Sequence, residues 1–123
     1  MADTALTVSI IERHAAAFAR GDVPGIMADY ADDAVLMTKA TGVLHGKAAI
    51  EGLFTMIFAN LFPPATTEIK FEPALAEGGC GLLHWTAETP QLRATGGFDS
   101  FFVHNGKIVA QAGGVDIQPR ETA

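Results

Sequence analysis

One cysteine, one tryptophan, one tyrosine and eight Lys and Arg are all that the 123 residues hold of those types. Cys80 alone can form neither an intrachain disulfide nor a Cys-rich zinc site. That excludes the disulfide-stapled secreted scaffold and the structural zinc finger, and makes the cytoplasm the expected compartment. The eight cations are scattered from Arg13 to Arg120 within a net charge of −6. Nucleic acid and anionic membranes attract concentrated positive charge, so neither is expected as a partner. Met1-Ala2-Asp3-Thr4 is acidic, unlike the basic start and apolar run of an export leader. The greasiest stretch, Gly52 to Phe62, is interrupted by Thr55 and Asn60 and falls short of the ~20 apolar residues of a membrane span. No G-x-S-x-G elbow, P-loop or dinucleotide fingerprint occurs, and Cys80 has no positioned base beside it. No cofactor is expected.

What the chain does have is apolar material, 49% of its residues, with 13 Gly and 8 Phe. The length suits one domain spanning 1–123. Leu6, Ile10, His14 and Phe18 recur every four residues and predict a helix over Leu6 to Phe18, with His14 on its buried stripe. Gly21 fits its C-cap, and Asp22 can cap a second short helix running to about Tyr30. After a polar turn at Ala31-Asp32-Asp33, Ala34–Thr38 and Val43–His45 read as a small hairpin. Gly46 to Asn60 carries a third amphipathic helix, stopped by Pro63-Pro64. Thr66–Leu75, Gly79–Glu88, Arg93–His104 and Lys107–Gln118 predict four long strands, the last two joined by the turn Asn105-Gly106. The order ααββαββββ predicts an α+β domain whose curved, mostly antiparallel sheet folds over the helices.

Ile11-Glu12-Arg13-His14, Arg20-Gly21-Asp22, Tyr30 to Val35, Leu44 to Ile50, Phe98 to Val103 and Asn105 to Val109 together resemble the nuclear transport factor 2-like superfamily. That group includes ketosteroid isomerases and SnoaL-like polyketide cyclases. The resemblance implies a cone of three helices against a curved sheet, an enclosed apolar pocket for a small organic ligand, and a homodimer through the outer sheet face. Ketosteroid isomerases use a first-helix tyrosine with a protonated late-strand aspartic acid as an oxyanion hole, and a first-strand aspartate to move the proton, a case in which an apolar site keeps a carboxylic acid neutral. Asp99 corresponds to the late-strand acid, His14 occupies the tyrosine position, and Thr38 occupies that of the proton-moving aspartate. The two departures argue against a steroid isomerase.

A lone carboxylate among apolar strand residues has to be paired, hydrogen-bonded or protonated. Asp99 is therefore a candidate pocket acid, opposed by the reading of a solvated edge residue. His14 is either a core histidine or an acid/base partner that Asp99 orients. Counting back from Asp99 without a gap turns Leu82 and His84 inward and Trp85 outward, toward a dimer contact. A one-residue slip in Thr89–Gly96 reverses this. His84 and Tyr30, the latter at the end of the second helix, are further candidate catalytic donors. Phe18, Met37, Phe54, Phe58 and Phe101 fit pocket lining or core, and Thr38 and Gln111 add polar wall positions. His14, His84 and Asp99 come from separate elements with no local metal-binding spacing, so no metal is expected. The functional expectation is a cofactor-independent isomerase, cyclase or dehydratase acting on a small apolar carbonyl or polyketide-like molecule. The alternative is a non-catalytic binding or dimerisation domain.

Overall fold

The computed structural model describes residues 3–120. Helix α1 spans Thr4–Arg20 because the Asp3 carboxylate accepts from the free backbone N–H groups of Ala5 and Leu6, while Gly21 closes the far end at a left-handed φ of 66°. Asp22 caps α2 (Val23–Met27) in the same way through Gly25 N. That helix is shorter than the sequence predicts. The Asp29 carbonyl accepts from Ile108 N and draws Tyr30 into the sheet, so Tyr30 opens strand β1 (Tyr30–Thr38) instead of ending a helix. Ala31-Asp32-Asp33 consequently lies within the strand, at a register irregularity between Tyr30 and Val35.

Strand β2 (Gly42–His45) completes the first hairpin and leads into α3 (Gly46–Met56), which passes into a π-helical turn at Ile57–Leu61. The single strand expected over Thr66–Leu75 is two, β3 (Glu68–Phe71) and β4 (Leu75–Glu77). Pro73 between them has no N–H to give to a ladder. Long strands β5 (Cys80–Glu88), β6 (Leu92–His104) and β7 (Lys107–Pro119) follow. The observed order is ααββαβββββ. Sheet order is β2-β1-β7-β6-β5-β3, with β4 also on β5. Every pairing is antiparallel except β1 with β7. Among the described residues no helix is long and apolar enough to cross a membrane. Ile10, Ile11, Ala17 and His14 of α1 are buried in the core, which also holds Tyr30, Ile50, Phe101 and Ile108.

The register of β6 decides what faces the helices. Near the β5–β6 turn Glu88 pairs with Arg93 and Ala87 with Ala94, whereas farther along Trp85 pairs with Gly97 and Leu83 with Asp99. Thr95 and Gly96 thus share the place opposite Thr86, and Gly96 takes the bulge's left-handed backbone at φ 62°. An unbulged ladder would have set Leu82 opposite Asp99. The extra residue turns Leu83 and Trp85 inward and sends Leu82 and His84 to the outer face.

α1 is pinned to the start of β1 by Arg13, whose Nε donates to Asp29 Oδ1 at 2.9 Å. Asp29 is 1% exposed and the Arg13 side chain 62%. Losing Arg13 leaves a buried carboxylate uncompensated, whereas losing the charge of Asp29 returns a solvated guanidinium to water. Arg13→Met is expected to destabilise by about 2 kcal/mol, and Asp29→Asn by less, in urea unfolding at pH 7.

Candidate active site

A cavity of about 700 Å³ lies between α1, α3, the π-helical turn and the inner face of the sheet. Its deep wall is apolar, with Leu36, Phe54, Leu83 and Phe101 all buried. Exposed Lys39, Ala40, Met56 and Val115 form the rim.

Asp99 stands in this wall with both oxygens engaged. Oδ2 accepts from Trp85 Nε1 at 3.0 Å and Oδ1 from Gln111 Nε2 at 3.0 Å. Gln111 is oriented in turn by the Tyr30 hydroxyl, which donates to its Oε1. Two glycines make room. Gly113 pairs with Asp99, and a Cβ there would overlap the carboxyl group; Gly97 pairs with Trp85, and a Cβ there would sit 2.6 Å from the indole ring. Burial pushes the Asp99 carboxyl up to about 6, against the pull of hydrogen bonds from Gln111 and Trp85.

His14 lines the same cavity, its ring edge-on to Tyr30, Phe54 and Phe101 at centroid distances of 5.5, 5.9 and 5.5 Å. Its Nδ1 is buried without a hydrogen-bond partner. Burial pulls the imidazole down to about 4, with the Asp29 charge opposing, so the ring is neutral at pH 7. Asp99 makes its bonds to Trp85 and Gln111 and none to His14. The two groups share a cavity without forming the oriented pair expected from the sequence.

Phe18, Thr38, Phe54, Phe101 and Gln111 line the cavity as expected. The Thr38 hydroxyl is already committed, accepting from Thr41 N at 3.0 Å. Tyr30 is fully buried behind Gln111. With Tyr30, five expected lining or catalytic positions lie outside the cavity lining. His84 and Leu82 face outward because of the β6 bulge, and Met37 is exposed because it alternates with Leu36 and Thr38. Phe58 packs on Phe18 at 5.0 Å, outside the lining. His84 therefore does not converge with His14 and Asp99, and among the described residues no three metal-binding side chains cluster. Trp85 faces inward as the slipped register allowed, whereas Gly97, Gly113 and Lys39 were missed. Gly113 leaves room for the Asp99 carboxyl and Gly97 for the Trp85 indole, contacts between strands that no local pattern marks.

The two pKa displacements have opposite consequences for folding. His14 titrates at 6.5 when unfolded and about 4 when folded, so the stability from its neutral form is complete above pH 6.5 and lost as pH falls toward 4. Asp99 titrates at 3.8 unfolded and about 6 folded, so the fold gains stability as pH falls through nearly the same window. In the wild type the slopes oppose. Relative to wild type, Asp99→Asn is expected to lose stability between pH 6.5 and 4, and His14→Gln to gain it, by up to about 3 kcal/mol each. Urea unfolding across that range checks this, and shifts of the same sign in both variants would contradict it.

The family model described as a SnoaL-like domain matches residues 11–111. An NTF-2 like protein of unknown function from Burkholderia xenovorans superposes with a TM-score of 0.76 at 18% identity, covering 96% of this chain and 88% of its own. An LEH-like epoxide hydrolase from M. tuberculosis gives 0.72 at 20%, covering 92% and 84%. An NTF2-like protein of unknown function from Mesorhizobium loti gives 0.73 at 19%, covering 92% and 93%. At these identities the likeness is one of fold. Among curated proteins no match is found.

Proposed function

The chain belongs to the SnoaL-like domain family, and on that premise we propose that it is a cofactor-independent cytoplasmic enzyme that moves a proton on a small, largely apolar carbonyl or polyketide-like molecule. Isomerisation, cyclisation and dehydration all share that step. The observation that carries the reading is Asp99, a carboxyl group in an apolar cavity whose pKa near 6 leaves it mostly ionised at pH 7 yet more basic than an ordinary aspartate. Asp99 takes the proton from a carbon next to the carbonyl, and the electron pair moves onto the carbonyl oxygen. His14, neutral and in the same cavity, donates a hydrogen bond to that oxygen. The proton then returns from Asp99 to another atom of the ligand. Trp85 and Gln111 fix both carboxylate oxygens, and Tyr30 positions Gln111.

Deuterium exchange into 2-tetralone, a small cyclic ketone, tests the base by proton NMR. Asp99→Asn and Gly113→Ala should each slow exchange by about 10²-fold or more, and the wild-type rate should rise with pH through a limb near 6. Asp99→Asn should still bind the ketone, as read from the fluorescence of Trp85, the sole tryptophan. Undiminished exchange in Asp99→Asn would sink the assignment. Saturable binding with no exchange in the wild type would instead support the non-catalytic binding domain of this fold.

The ligand-free side of the sheet supports a second copy as partner. Leu75, Phe98, Phe102, Met37 and Val43 are exposed there on four strands, with Ala110, Ala112 and Ser100 small enough between them for two faces to approach. Sedimentation velocity should find a dimer that Phe98→Arg with Phe102→Arg converts to monomer; a monomeric wild type at micromolar concentration would exclude it.

A further inference from the structure

Lys39 and Asp99 are the two charged side chains of the cavity lining among the described residues, since His14 is neutral. Thr38 pairs with Gly113 and Gly113 with Asp99, so the three stand in line across neighbouring strands. Two strand spacings separate Asp99 from the backbone at Thr38, roughly 10 Å, and Lys39 follows directly at the rim. Everything between them on the wall is apolar or already hydrogen-bonded.

The turn that carries Lys39 is braced. Thr41 N donates to Thr38 Oγ1 at 3.0 Å, Thr38 N donates to Thr41 Oγ1 at 3.3 Å, and the two hydroxyls are 3.0 Å apart. Arg13, Arg20, Lys47, Arg93 and Arg120 all lie in ion pairs. Lys39 makes no hydrogen bond or ion pair to any described residue, although the chain carries a net charge of −6 and has acids to spare. A partnerless cation on a fixed turn at the rim of an apolar cavity faces whatever enters.

We propose that the ligand of this cavity carries a carboxylate head group, held at the rim by Lys39, with its apolar body inward and its reacting carbon against Asp99. The inference rests on the pocket reading above and adds the class of ligand. A single cation suits a monoanion, and the charge of Asp99 repels the head group from the deep end, so the two charges together set which way round the molecule binds. A dianion such as a phosphate monoester would be left with an uncompensated charge facing an acidic protein.

Decanoate and decanol, which share one apolar chain and differ in the head, separate the contributions. Binding is read from Trp85 fluorescence at pH 7.5. The wild type should bind decanoate about three- to tenfold tighter than decanol, a preference that salt erodes. Lys39→Met should abolish the preference and Lys39→Glu invert it, while Lys70→Met, outside the cavity, keeps it. Equal binding of the two probes by the wild type, or a preference that survives Lys39→Met, would overturn the proposal. If decanol binds and ketone exchange depends on Asp99 while no carboxylate preference exists, the anion assignment fails alone. If neither probe binds, the inference and the apolar pocket reading fail together.

Discussion

Asp99 can stay in an apolar wall only while its oxygens are hydrogen-bonded or its charge is removed by a proton, and the surroundings of the cavity follow from that constraint. Trp85 and Gln111 each give one N–H, and Tyr30 holds Gln111 from behind. Both donors favour the carboxylate, and burial favours the acid. The balance leaves a group that titrates near neutrality instead of a permanently protonated acid. Space is part of the same arrangement, because Gly113 and Gly97 leave open the strand surface on which Asp99 and Trp85 lie.

The bulge at Thr95–Gly96 is what brings those partners together. Side chains alternate along a strand, so one extra residue on β6 exchanges the inner and outer faces of β5 relative to Asp99. It delivers Trp85 to the carboxylate and puts His84 in solvent. An imidazole on the inner face would have given the cavity a second titrating group beside Asp99; an indole gives a donor that never titrates and a large apolar surface.

His14 and Asp99 show one physical cause acting on groups of opposite charge type. Desolvation disfavours whichever form is charged, so it lowers the histidine and raises the aspartate. At neutral pH the cavity therefore holds a neutral imidazole and a carboxylate of strengthened basicity. Those are complementary parts for moving a proton, and they need no direct contact with each other.

Helical spacing in Leu6–Phe18, the caps Gly21 and Asp22, and the turn Asn105-Gly106 were legible because each is a local preference written within a few residues. Asp99 was legible as a problem, since a carboxylate among phenylalanines needs an explanation wherever it sits. Its solution was not legible. Which residue of β5 stands opposite Asp99 depends on a bulge whose only local trace is one of two adjacent glycines, and Tyr30 joins β1 because Ile108, far along the chain, bonds to the carbonyl beside it. Lys39 likewise reads in sequence as a turn lysine, and only the curl of the first hairpin over the cavity places it at the rim. Local patterns were enough for the three helices, the long strands, the family and the acid; the start of β1, the break between β3 and β4 and the partners of that acid came from the fold, because long-range register is set by pairing energies between distant strands and not by any one strand's own residues.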